Sequence, residues 1–358
     1  MKKKLVGMLA TATLLTMALA GNVQAAEIRS VGPDGEAAVD ASTIELTDDQ
    51  IAQIKEGGYT AAICLHYGGN DWSTSQQKGL EDTFGELGIE IVAVTVANFS
   101  AETQVSNIET VMAKKPDILV SIPTDATATA DAYKQAAAAG IKIVFMDQRA
   151  NGLEAGKDYV SVVSADNYGN GYASGTVLGD ALGGKGKVAM VYYDANFAPT
   201  NQRDEGFRDA MKNYPDIEIV TEQGFTDESG CAEQGDAILT QFPNIDGIYA
   251  SWDVPMEGVL SAVRAAGMEG KVTLACNDLG NNVAREIASG NIAGGGAQMP
   301  YDQGVAEAKL AALALLGEET PSYVAVPAET VTHENVLEAY TDVYHVETPD
   351  WLKEAYVE

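Results

Sequence analysis

Wherever an apolar run of this chain ends, a polar or aromatic side chain follows. Asn70 and Trp72 come after YTAAICLHYGG, Asp147 after IKIVFM, Trp252 and Asp253 after IYAS, Asn277 and Asp278 after VTLAC, and Gln298 closes IAGGGA. Arg203 stands near the start of the helical pattern NQRDEGFRDAM. Carboxylates such as Asp147 and Asp278 can accept from vicinal hydroxyls, Arg203 donates in a fixed fork, and Trp72 can cover the C–H face of a ring. Such a set suits a neutral polyhydroxylated ligand. Taken singly, loop carboxylates are more often helix caps or solvated. The set gains meaning only if the elements that carry it bring its members to one place.

Those elements read as strands and helices in strict alternation. Tyr59–Leu65 is a short apolar run bounded by Gly57-Gly58 and Gly68-Gly69, which suits a strand buried on both faces, and Leu80, Phe84 and Leu87 share one helix stripe after it. Strands then read at 90–98, 117–122, 141–146 and 159–164, with helices near 101–114 and 126–139. After SADNYGNG the alternation restarts, with strands at 187–193, 217–222, 246–251, 271–276 and 292–299 and a last helix near 301–316. Two successive βα series imply an α/β protein of two Rossmann-like lobes with parallel sheets. Ligands of open parallel sheets bind beyond the carboxyl ends of the strands, so His66–Ser73 is pocket-lip sequence by position. Residues 26–46 lack periodicity and read as a loose extension, followed by a short helix capped at Thr47.

Composition narrows the function class. The first residues, MKKKLVGMLATATLLTMALAGNVQAAE, have a basic start, an apolar run and small residues at Val23 and Ala25, which predicts a secretory leader cleaved after Ala25. No cysteine stands directly after that point, so a lipid anchor is not expected, and no later apolar run is long enough to span a bilayer. Removal of the leader takes Lys+Arg from 22 to 19 against 52 acids, a formal charge of −33. That balance repels phosphate backbones and argues against nucleic-acid binding. Cys64, Cys231 and Cys276 are odd in number and scattered, and they read as buried free thiols.

Catalytic signatures are missing. GDALGGKGK imitates a phosphate-binding loop, but Gly186 replaces the hydroxyl residue and the order is helix, turn, strand, so it reads as a helix C-terminal turn. No GxSxG elbow occurs, and His66, His333 and His345 lack metal-ligand spacing. His66 reads as a wall residue or a packed strand-end histidine. No metal or cofactor is expected.

The stretches ETQVSNIETVMAKKPDILVSIPTD, AAAAGIKIVFMD, VVSADNYGNGYASG, LGGKGKVAMVYY, QRDEGFRDAMKNYPDIEIV and AREIASGNIAGGGAQMPYDQG occur in an order, across both lobes, that resembles the ribose-type (type I) periplasmic sugar-binding proteins of ABC importers, from about Tyr59 to His345. The resemblance implies lobes at 58–163 plus 299–326 and at 164–298 plus 327–345, joined by a three-strand hinge crossing near Ser164, Gln298–Pro300 and Pro327, with 26–57 an N-terminal extension and 346–358 a tail. It carries ligand-binding roles onto Asn70, Trp72, Asp147, Arg203, Asp278 and Gln298. Ser73, Gln148 and Trp252, with Asp253 beside it, occupy pocket positions where the family shows other residues, and Phe225 is a further aromatic wall. These departures put ribose itself in doubt and leave another pentose, a hexose or a sugar alcohol open.

The expected protein is therefore a monomeric, exported solute-binding protein that closes on a sugar or polyol and hands it to a membrane permease with its cytoplasmic ATPase. It would act in the periplasm, or at the cell exterior in a single-membrane organism. A sensory role, presenting the ligand to a chemoreceptor or sensor kinase, stays open beside it. A secreted sugar-acting enzyme would need a paired acid and base, for which the sequence has no signature.

Overall fold

The computed structural model describes residues 28–357, so the leader expected at 1–25 lies outside the described residues. The chain builds a first sheet from β1 (Val39–Asp40), β2 (Thr60–Leu65), β3 (Glu90–Val96), β4 (Ile118–Ser121), β5 (Lys142–Met146) and β6 (Ser161–Ala165). It crosses into a second sheet made of β7 (Lys185–Tyr193), β8 (Asp216–Phe225), β9 (Gly247–Ala250), β10 (Thr273–Cys276) and β11 (Gly294–Ala297). It then returns for β12 (Tyr323–Val326) and crosses a third time into β13 (Glu329–Thr332). Strand order is β1-β12-β6-β5-β4-β2-β3 in one sheet and β13-β11-β10-β9-β7-β8 in the other. Every pairing is parallel except β13 on β11, an antiparallel edge supplied by the last crossing. This is the two-lobed, three-crossing α/β architecture expected from the alternation and the resemblance.

Each sheet is covered on both faces, as its unbroken apolar strands require. In β4, Ile118 and Val120 pack with Leu80 and Phe84, while Leu119 points the other way toward Ile108 and Tyr133. In β9, Ile248 and Ala250 face one core and Tyr249 the opposite one, where its ring stacks on Phe207 at 4.1 Å. Strand ends point toward the gap between the lobes, and the polar residues that follow them are thereby collected.

Two segments are more ordered than the sequence suggests. The described part of the extension is anchored rather than loose: the amides of Arg29 and Ser30 donate to the Asp166 carboxylate at 3.0 and 2.8 Å, and Ser30 is buried. A small hairpin, closed by the Val31–Ala37 bridge, ties to both lobes. Gln202 of the second lobe donates to the Val31 carbonyl at 3.2 Å, and Arg149 of the first pairs with Asp34 at 2.5 Å. The expected tail carries helix Asp350–Ala355, whose Leu352 is fully buried in the second lobe's core. All three cysteines are free and buried, as expected.

Candidate functional site

A cavity of about 60 Å³ lies between the lobes. The first lobe contributes His66 and Tyr67 after β2, Asn70 and Trp72 at the start of helix Asp71–Glu86, Phe99 after β3 and Asp147 after β5. Opposite them stand Tyr193 at the end of β7, Phe197, Pro199, Thr200 and Arg203 around the entry of helix Ala198–Met211, Glu228 after β8, Trp252 after β9 and Asp278 after β10. Gln298, where β11 leaves for the first lobe, joins the two walls.

Asp147 and Asp278 occupy matching places in the two lobes. Both have left-handed backbones, φ 54° and 68°, and both amides still donate to the neighbouring strand at 2.8 Å, to Val163 and Gly296. Aspartate tolerates this conformation better than most residues, and such strain held by surrounding structure is typical of functional sites. Their partners differ. Asp147 receives Ser164 Oγ at 2.8 Å and Gln303 Nε2 at 3.4 Å, both on Oδ1. Burial pushes its carboxyl above the ordinary range, since the Ser164 hydroxyl and the nearby Arg203 charge only partly offset the lost hydration. Asp278 instead receives Arg203 Nη1 at 3.1 Å and Gln298 Nε2 at 2.8 Å.

Arg203 is held rigidly for this role. Its Nε donates to Asn167 Oδ1 at 2.8 Å and its Nη1 also reaches the Ser251 carbonyl at 3.3 Å, and none of these bonds uses Nη2. The helix that carries it lies against helix Asn167–Ala181 at backbone contact. A Cβ on Gly171 would sit 1.8 Å from the Arg203 carbonyl oxygen, and one on Gly206 2.1 Å from that of Tyr168. The glycines of NYGNGYASG and DEGF are thus what let Arg203 reach both Asn167 and Asp278.

Three buried polar atoms around the cavity have no partner among the described residues: Trp72 Nε1, Gln298 Oε1 and His66 Nδ1. Buried polar groups are nearly always hydrogen-bonded, so these three atoms are candidate contacts for a polar ligand or ordered water, although nine other such atoms lie elsewhere among the described residues. His66 is neutral there, because burial pushes its imidazole down to about 3, and it stacks on Phe197 of the other lobe at 5.4 Å. Trp252 donates to Glu228 at 2.9 Å, and burial raises the Glu228 carboxyl. The site combines donors, acceptors and broad aromatic cover, and among the described residues no cluster could hold a metal ion. Its chemistry is recognition of a polar molecule with apolar faces.

Of the residues singled out from sequence, Asn70, Trp72, Asp147, Arg203, Trp252, Asp278 and Gln298 line this cavity. Ser73, Gln148, Phe225 and Asp253 do not. Ser73 turns back to the Asn70 carbonyl at 3.1 Å inside the first helical turn. Gln148 faces away from the cavity and bonds to Pro123 and Ala198. Phe225 lies behind the wall, its ring 5.1 Å from that of Trp252. Asp253 is buried beneath it, accepting from the Val254 amide at 2.8 Å. Phe99, Tyr193, Phe197 and Glu228 line the cavity without having been singled out, and Tyr67 falls within the stretch His66–Ser73 read as pocket lip. Phe99 and Tyr193 sit at strand ends, so the rule that found Trp72 applies to them equally.

The lobes also meet outside the cavity. Asn281, at the start of helix Asn281–Ala288, donates its amide and its Nδ2 to the two oxygens of Asp71, each at 2.8 Å, so a carboxylate of the first lobe caps a helix of the second.

A family model described as a periplasmic binding protein domain matches residues 61–319. The D-ribose/D-allose-binding protein of Pseudomonas aeruginosa is 30% identical over 241 residues, 64% of this chain and 74% of that protein. Among solved structures, an ABC transporter periplasmic solute-binding protein from Actinobacillus succinogenes with bound D-allose is similar with a TM-score of 0.72 at 30% identity, covering 78% of this chain and 99% of that one. A solute-binding protein from Agrobacterium vitis bound with α-D-tagatopyranose gives a TM-score of 0.74 at 25% identity, covering 82% and 100%.

Proposed function

The chain belongs to the periplasmic binding protein family, and we propose from that premise that it captures one small sugar or polyol by closing its lobes and delivers it to a membrane permease of an ABC importer. This is a solute-binding family, so the site binds and releases without chemistry. The observation that carries the ligand class is the set of orphaned atoms on Trp72, Gln298 and His66, arranged with Asp147, Asp278 and Arg203 among aromatic rings. Each hydroxyl of a polyol can donate to one of these groups and accept from another, while its C–H faces meet Trp72 and Trp252. Relatives that bind ribose, allose and tagatose support the reading.

In this reading Asn70, Trp72, Asp147 and His66 hold the ligand from one side and Arg203, Trp252, Asp278 and Gln298 from the other. Closure then follows from contacts that exist only when both lobes touch the ligand. Charge-assisted hydrogen bonds contribute about 1.5–3 kcal/mol each, so a few suffice for micromolar affinity, about −8 kcal/mol. The protein works outside the inner membrane after loss of residues 1–25.

Thermal unfolding of the mature protein in the presence of D-ribose, D-allose, D-xylose, D-glucose and myo-inositol tests the reading. A ligand at a hundred times its Kd stabilises by about 2.7 kcal/mol, a Tm rise of several degrees. A flat response across such a panel removes the sugar assignment.

A further inference from the structure

Behind the sugar cavity one side chain spans the gap between the lobes. Asp147 adopts a left-handed backbone, so the chain turns and Gln148 points away from the cavity that Asp147 faces. Gln148 is buried and spans the gap between lobes: its Nε2 donates to the Pro123 carbonyl of the first lobe at 2.8 Å, and its Oε1 accepts the Ala198 amide of the second at 3.1 Å. Ala198 opens its helix, so that amide has no partner inside the helix and the glutamine caps it across the cleft.

Behind this clasp lies a second inter-lobe cavity, of about 220 Å³, lined by Val31, Asn151, Asn196 and Gln202 together with Gln148 and Ala198. Gln202 Oε1 is buried there without a partner among the described residues. The two cavities stand back to back at two points. Asp147 borders both, and on the opposite wall Ala198 faces the rear cavity while its neighbours Pro199 and Thr200 face the front one. The bond from Gln148 to Ala198 joins these two points from the rear, where Gln148 lines the second cavity and Asp147 stands between it and the first.

We propose that Gln148 sets the length of the ligand. It confines a sugar to the front cavity, and without its side chain the two cavities become one space that admits a second ring, with Gln202 and Asn196 as polar partners for it. The inference rests on the sugar reading of the front cavity. It goes further by assigning ligand size to a residue that does not touch the front cavity.

The test compares monosaccharides with the disaccharides built from them, D-xylose against xylobiose and D-glucose against maltose and cellobiose, by calorimetric titration of the full mature protein. Wild type binds the single ring and rejects the pair. In Gln148→Ala and Gln148→Ser, the preference moves toward the disaccharide by at least about tenfold. Gln148→Met keeps the bulk but loses both hydrogen bonds, so it weakens binding while retaining the wild-type preference. If the ratio moves less than about threefold in both truncations, or moves as far in Gln148→Met, Gln148 is only a clasp and the inference falls. Wild type that binds a single ring with no change of preference in the variants overturns this inference alone. Wild type that binds no sugar overturns the reading beneath it as well.

Discussion

The two lobes place an aspartate at the same point of the same architecture and treat it differently. Asp278 is paired within its own lobe to a buried guanidinium, the two side chains 10% and 6% exposed, whereas Asp147 has only a hydroxyl and an amide on one oxygen. A carboxylate already matched to a cation is a fixed acceptor whose charge is spent inside the protein. One met by neutral donors keeps more of its demand for a ligand. The second lobe is therefore the preorganised half of the site, and the first is the half that the ligand completes.

The strongest way to break this comparison is Arg203→Ala. It leaves Asp278 buried and unpaired and strips donors from Asn167 and Ser251, a loss of about 3–5 kcal/mol of stability. Binding should fall by more than about 100-fold, and chemical denaturation should show the second lobe's destabilisation directly. Asp147→Asn should separate the two effects. It weakens binding by about 10- to 100-fold yet does not lower the denaturation midpoint at neutral pH, because burial already disfavours the charged form of Asp147. Equal stability losses in the two variants would erase the asymmetry.

The pH dependence of stability sharpens the contrast further. His66, in the first lobe, is pushed by burial from 6.5 down to about 3, so the unfolded chain takes up its proton first. Its contribution is complete above about 6.5 and is lost as pH falls toward 3. Asp204, in the second lobe, is pushed by burial from 3.8 up to about 7, so the folded chain holds its proton longer. That contribution is complete below about 4 and is lost as pH rises through 7. Between pH 7 and pH 5, His66→Phe should therefore gain stability relative to wild type and Asp204→Asn should lose it, read as Tm differences at the two pH values. The smallest effect is expected from Trp72→Phe, which keeps the aromatic cover and removes one donor. Affinity should fall about fivefold, about 1 kcal/mol, with no change in Tm.

Much of this architecture was legible because strands buried on both faces leave uninterrupted apolar runs, and glycines mark their ends. The rule that polar residues follow strands found Asp147, Asp278 and Gln298 for the same reason. It failed for Asp253, as the resemblance did for Phe225, since a sequence places a residue at a strand end without fixing whether the side chain enters the gap or the lobe beneath it. Gln148 shows the cause at one position: the left-handed turn at Asp147 sends the next side chain to the far side. The anchoring of residues 28–31 was hidden for another reason. It depends on backbone amides meeting Asp166 more than a hundred residues away, which leaves no local periodicity. Phe99 and Tyr193 stand at positions that carry the same signal, but the aromatic wall they form spans both lobes, and local sequence does not show which distant rings meet.

The hairpin at Val31–Ala37 offers a practical consequence. It is held to one lobe through Val31 and to the other through Asp34, so lobe rotation must change the surroundings of the residues between and beside these anchors. Ala37 is exposed at its end, and the native thiols at 64, 231 and 276 are all buried, with burial pushing the Cys64 thiol up to about 11. A thiol-reactive dye would therefore label an Ala37→Cys variant at one position only. The chain thus supplies an attachment point for an optical sensor whose signal reports lobe movement from outside the binding cavity.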